Sequence, residues 1–458
     1  MKDSQINSET DIQDYENSLD LSDNLYPTEE NKSSDKEVVT SYLYIKSNSS
    51  LSAILNICAS TFGAGCLTFP HFVDSIGIMN SFFIYIFVSI CLYFSFDLLR
   101  RFVVDTEYYS FSVMTERVLN KKWLLVYALS SSIFYLSGII SYMNVCYSIL
   151  RTVFNNEETY LKYIYGILYI LITYAVEILL CIYTRNTKRV HLISIIVIIS
   201  FSIFVLFIII GGIKGCNSEK FSSEKFFSPF DNKSSTEIFF EFIYTAIMYI
   251  YGFSYHSTFP TFLGNVKTIA KSSKMINIVS FGIVCLSYLI ISLFGYLYKN
   301  EVPEQLFLDR INEDNNFLNI FLKIVAFIFL FSLIPHRFIT IRDGYKCLLG
   351  NDKFNDKIDL IFIIICLFIA NIIVFLDQEI IRGENSNYNI FSVFTNIFGG
   401  LLGVIIAFLL PVINFAAING KTRKRAIVGY IISAIFIIVG IISVIYSFYK
   451  IEHSENKN

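Results

Sequence analysis

The chain has 458 residues, of which 54% are hydrophobic and 16% charged, with mean hydropathy +0.56 and formal net charge −2. A water-soluble domain carries about a quarter of its residues as charges, so that class is excluded. Apolar runs of membrane-span length instead define a polytopic helical membrane protein.

Residues 1–46 hold eleven Asp or Glu against four Lys and are rich in Ser and Asn. They are expected to form a disordered acidic tail. The tail lacks the basic start and apolar core of a signal peptide, so the first span is expected to stay in place.

Eleven spans follow, near 50–78, 79–101, 123–151, 161–184, 190–213, 237–264, 273–299, 317–346, 358–377, 389–418 and 425–449. They make up a transmembrane domain of residues 47–451, and 452–458 form a short C-terminal tail. Loops 100–122, 185–190, 265–274, 342–357 and 419–425 hold nineteen Lys and Arg. The opposite loops, 151–162, 214–236, 299–315 and 377–389, hold nine, offset by acids such as Glu157, Glu158, Glu301, Glu304 and Asp309. The positive-inside rule therefore places the N-terminus in the cytosol and the C-terminus outside. Asn232 carries an N-x-S sequon on the outer side. Seven of nine cysteines lie in or at the ends of spans, and no spacing suggests a disulfide, a metal or a cofactor.

Two spans are interrupted. The first carries Thr61-Phe62-Gly63-Ala64-Gly65-Cys66-Leu67-Thr68-Phe69-Pro70, and the sixth Tyr251-Gly252-Phe253-Ser254-Tyr255-His256-Ser257-Thr258-Phe259-Pro260. Unwinding a helix in hydrocarbon exposes unpaired peptide groups, which is tolerated only where they meet a cavity or a ligand. Paired breaks at the start of two five-helix units of opposite sense are expected of an inverted-repeat transporter. Glycine is expected here for its dihedral freedom and close approach. The free N–H groups of the outer half-helix suit a carboxylate. A stripe of small residues also packs helices together, and for Gly399 and Gly403 in the tenth span that is the preferred reading.

At this point the sequence resembles the amino acid/auxin permease family. Asn56 to Pro70 is similar to its first-helix signature and Phe253 to Pro260 to its sixth-helix motif. Ser287-Tyr288 with Gly295-Tyr296, Pro335 with Arg342, and Gly399-Gly400 with Pro411 resemble its seventh, eighth and tenth helices. The resemblance covers about residues 50–450. It implies an all-α LeuT-type fold, a 5+5 inverted repeat with an eleventh helix, carrying amino acids by proton- or sodium-driven alternating access. Sodium-coupled members place an Asn four residues before the first glycine, where this chain has Ala59, with Asn56 one turn earlier. They place a hydroxyl two residues before the eighth-helix proline, where this chain has Leu333 beside Ser332. Hard cations need several oxygen ligands, so proton coupling or uncoupled exchange moves ahead of sodium symport.

The expected substrate contacts are Thr61, Gly63, Ala64, Gly65, Cys66 and Leu67 at the first break and Gly252, Phe253, Ser254 and Tyr255 at the second. Tyr142, on one face of the third span with Tyr135 and Gly138, is the residue that could close over a carboxylate. Intramembrane ionisable groups are candidates for coupling or gating. His256 leads them because imidazole titrates in the physiological range, followed by His71, Asp74 and Asn56. Glu177, deep in the fourth span, is expected either to hydrogen-bond to a neighbouring helix with its proton on or to reach a cytosolic cation. Asp97, Arg100 and Arg101 read as interfacial charges, and His336 and Arg337 as gate or packing groups.

The expected function is a secondary transporter of small neutral or cationic amino acids. An amino-acid sensor with little flux is the alternative, and no enzyme motif is present. The membrane is the plasma membrane or an internal vacuolar or lysosome-like one, and no nucleic-acid partner is expected.

Overall fold

The computed structural model describes residues 49–153, 159–185, 187–216, 234–266, 268–298, 307, 317–350, 355–381, 398–420 and 422–455. The acidic tail, Asn232 and the outer-loop acids from Glu157 to Asp309 lie outside them.

The described residues form helices joined by turns and short breaks, with no strand among them. The first span is α1, Ser50–Thr61, a 3-10 turn over Ala64–Thr68, and α2, Phe69–Ile76. Ser49 caps α1 by accepting from the Ser52 N–H, while Pro70 stands in the first turn of α2, where its missing N–H is not needed. Gly77 alone separates α2 from α3, Ile78–Thr106, at φ 87°, a backbone conformation that favours glycine. A short helix the sequence did not suggest, α4, Phe111–Val118, precedes α5, Lys121–Val153. Then come α6, Thr159–Tyr183, and α7, Thr187–Lys214.

The sixth span is α8, Ser235–Gly252, and α9, Phe259–Gly264. Ser234 and Glu237 form a reciprocal capping box at the start of α8, and Pro260 opens α9 as Pro70 opens α2. The remainder are α10, Ile269–Leu297; α11, Phe317–Leu349; α12, Asp356–Phe375; α13, Phe398–Asn419; and α14, Lys424–Glu455. Among the described residues nine helices are long and apolar enough to cross a membrane, and the first span, bent by 54° at its break, makes a tenth. The eleven-span count requires α8 and α9 to be taken as one further crossing.

Packing sets the two breaks in the middle of the bundle. Helix α5 runs along α11, and α11 along α7. Helix α10 packs on α1, α2 and α7, while α13 lies against α3 and α14 against α8. Leu171, Leu179, Ile361 and Ile438 point outward and are exposed, the apolar surface that a bilayer covers.

One expected boundary is corrected. Residue 377 was placed at the start of an outer loop, but a π-helical turn, Leu376–Ile381, continues α12. Asp377 and Gln378 are buried there. Asn144 of α5 donates to Asp377 Oδ2 at 2.8 Å and accepts from Gln378. Hydropathy ended the span where this polar pairing begins.

Candidate site at the paired helix breaks

After Thr61 the chain leaves the helix through Phe62 (φ −54°, ψ 135°) and Gly63 (φ −166°, ψ 172°). That extended backbone is open to any residue, so dihedral freedom is not why glycine stands at 63. Space is the reason: a Cβ there would lie 2.5 Å from the Tyr142 hydroxyl and 3.2 Å from the Arg337 guanidinium. The 3-10 turn begins immediately afterwards, and its leading N–H groups have no partner within it. Cys66 N–H and Sγ both turn back to the Gly63 carbonyl, and Thr68 Oγ1 donates to Gly65 O at 2.8 Å.

The second break is locked to the first by exchanged rings. A Cβ on Gly65 would meet Tyr251 at 3.2 Å, and one on Gly252 would meet Phe69 at 2.6 Å. Each break thus gives up a side chain to receive an aromatic from the other. Tyr251 is also held by Gly399 of α13, where a Cβ would lie 2.5 Å from its ring. Gly403 receives Phe134 in the same way at 3.1 Å, consistent with the packing role expected of that glycine pair. Tyr288 of α10 joins the breaks a second time: its hydroxyl lies 2.8 Å from Thr61 O and 3.1 Å from Gly252 O.

The expected residues divide into two groups. Gly63, Gly65, Gly252 and Tyr142 come together around the break, with Cys66 and Thr61 in its wall. Thr61 Oγ1 bonds back to Ile57 O, leaving its carbonyl for Tyr288. Ala64 and Leu67 belong to the same 3-10 turn. Phe253 borders the breaks through Tyr288, while Ser254, Tyr255 and His256 face elsewhere. Phe253 packs on Phe281 and Tyr288, Tyr255 and His256 both stack on Phe96 of α3, and Ser254 Oγ bonds back to Ile250 O. His256 is fully buried, and its ring nitrogens have no hydrogen-bond partner among the described residues. Asn56 turns to His191 of α7 at 3.3 Å. His71 and Asp74 sit half-buried on α2.

Sequence reasoning undervalued Arg337. Its Nε lies 3.0 Å from the Tyr142 hydroxyl, and its Cζ stands 5.3 Å from the Tyr135 ring centre. Neighbouring His336 faces away, toward Ser194 of α7 at 3.4 Å. The Tyr135–Gly138–Tyr142 face of α5 was the available signal, because a cation on α11 at the level of Pro335 had to meet something there. Other charges pair among themselves. Asp97 pairs with Arg100 and Arg101, both at 2.7 Å, and Asp359 pairs with Arg185 at 2.7 Å and Arg342 at 3.7 Å. Glu177 reaches a neighbouring helix: Asn371 of α12 donates to it at 3.1 Å, in a small cavity also lined by Thr173, Tyr147 and Phe331.

An all-helical membrane bundle with two interrupted helices is the architecture of a LeuT-type carrier. Residues 46–452 match the family described as transmembrane amino acid transporter protein, and the chain belongs to that family. It is an integral, multi-pass membrane transporter and not an enzyme. Comparison with curated protein sequences finds no match. Among solved structures, a Na+-coupled sialic acid symporter captured outward-open with substrate is similar at 15% identity and TM-score 0.56, over 88% of this chain and 91% of that one. A manganese transporter from Eremococcus coleocola is similar at 11% identity and TM-score 0.63, over 86% of this chain and 85% of that one. At these identities the likeness is one of fold.

Proposed function

We propose that the chain is a proton-coupled secondary transporter of amino acids, working by alternating access, with substrate held between the two breaks. The observation that carries this reading is the reciprocal packing of Gly65 on Tyr251 and Gly252 on Phe69, beside the backbone opening at Gly63. In this reading the leading N–H groups of the 3-10 turn receive the substrate α-carboxylate. Tyr142 closes over it from α5. Helices α1–α2, α3, α8–α9 and α10, the first two spans of each unit of a 5+5 repeat, rock as one set against the rest, with the N-terminus in the cytosol.

Proton coupling is favoured over sodium because both positions at which sodium-coupled relatives carry an oxygen are apolar and buried here, Ala59 and Leu333. His256 is assigned the coupling proton, with His71, Asp74 and Asn56 as the other candidates. The His256 ring stacks on Phe96 of α3, inside the same rocking set, so water reaches it only if α3 and the α8–α9 break part within that set.

The test is uptake of labelled amino acids by proteoliposomes holding the purified chain, with imposed pH or sodium gradients. Saturable uptake driven by an inward proton gradient and indifferent to sodium is expected. Uptake that ignores the pH gradient would remove the coupling claim and leave the carrier. Binding without flux would make the protein a sensor.

A further inference from the structure

Arg337 is a half-buried cation at the centre of the bundle, and no carboxylate among the described residues answers it. Its polar contact is to the Tyr142 hydroxyl, and its other neighbours are the rings of Tyr135 and Tyr142. The described acids of the helices around it are committed elsewhere: Asp359 to Arg185 and Arg342, Asp97 to Arg100 and Arg101, and Glu177 to Asn371. Asp343, on α11 itself, accepts from Ser110 and Ser112.

A guanidinium carries five N–H donors in a planar fork that matches a carboxylate. Two of its three nitrogens here share one phenol oxygen, so most of that capacity is unspent. An uncompensated charge at this depth in a membrane is costly and marks a ligand path by default. Gly63 brings the interrupted backbone close against this pair, since a Cβ there would lie 3.2 Å from the Arg337 guanidinium and 2.5 Å from the Tyr142 hydroxyl.

We infer that Arg337 receives the side-chain carboxylate of an acidic amino acid, so that the carried substrate has a net negative charge. The inference rests on the amino-acid reading above and names the substrate class. The charge count supports it. A zwitterion brings equal and opposite charges and leaves Arg337 unbalanced, whereas an amino acid with a second carboxylate cancels it. A cationic amino acid sets like charges together in a low-dielectric site. This inference departs from the expectation of a neutral or cationic substrate.

The test is a competition screen in proteoliposomes, with L-glutamate and L-aspartate against L-glutamine, L-asparagine and L-lysine. Wild type is expected to prefer each acid over its amide. Arg337→Gln is expected to lower the glutamate-to-glutamine ratio about tenfold or more, the worth of a hydrogen bond to a charged group. Arg337→Lys, which keeps charge and loses the fork, should fall between. As a measurement on the unaltered protein, glutamate should raise its melting temperature more than glutamine does. Preference for the amides, or a ratio untouched by Arg337→Gln, overturns the inference and leaves the amino-acid carrier standing. No uptake or binding of any amino acid overturns both.

Discussion

The hydroxyl of Tyr142 stands 2.5 Å from the place where a side chain on residue 63 would begin. Gly63→Ala is therefore expected to drive a methyl into that hydroxyl, at a cost of roughly 1–3 kcal/mol for overpacking. Transport should fall sharply while the purified protein stays folded. Removing the colliding atom gives the sharper check: the double variant Gly63→Ala with Tyr142→Phe should recover part of the melting temperature lost by the single one. A double variant no more stable than Gly63→Ala would place the collision elsewhere.

Tyr288→Phe removes one hydroxyl and leaves the Thr61 and Gly252 carbonyls without it. Unsatisfied buried acceptors cost about 1–3 kcal/mol. A lower melting temperature in detergent is expected, with hydrogen exchange accelerated at both breaks. Protection lost at one break alone would contradict a shared role.

Glu177 is expected to tolerate glutamine, because an amide can still accept from Asn371 at the 3.1 Å separation found here. Leucine in its place leaves Asn371 Nδ2 with only its bond to Leu367 O and should destabilise by roughly 1 kcal/mol. Thermal denaturation of the two variants decides the matter, and loss of proton-driven uptake in Glu177→Gln with unchanged stability would reveal a proton-carrying role instead.

Asp359→Asn should loosen the lower ends of three helices at once, since Asp359 holds Arg185 of the segment after α6 at 2.7 Å and Arg342 of α11 at 3.7 Å. Leaving two arginines without their acid is expected to cost on the order of 2 kcal/mol. Hydrogen exchange in the purified variant should be faster around Arg342 and Asp359, and equal rates would argue against the clamp.

The two breaks and Tyr142 were legible in the sequence because they depend on local chemistry: glycine and proline punctuate a helix, and a one-in-seven spacing lies on one helical face. Arg337 was not legible as a site residue, since its meeting with Tyr142 is fixed by how α11 is rotated against α5. The direction in which Phe253, Tyr255 and His256 point was not legible for a related reason. They follow the break by only a few residues, and the turn there aims their rings at Phe96 and Phe281 rather than at α5 and α11. At Gly63, of the two causes expected for glycine, close approach is the one its surroundings require, because its dihedrals are ordinary and only its neighbours forbid a side chain. Asp377 escaped notice because a hydropathy profile closes a span at the first acid, whereas an inter-helical amide pairing can carry the helix past it.

The bridge made by Tyr288 has one more consequence. A phenol owns a single proton, yet two carbonyls compete for it, one from each interrupted helix. Full-strength donation to one leaves the other with a weaker share, so the pair behaves as a balance with a single weight. If the two breaks move apart during the working cycle, only one pan can keep that weight. The proton's location then becomes a label for which half has moved, and an infrared probe of the two carbonyls, isotope-edited at Thr61 and Gly252, would read it directly.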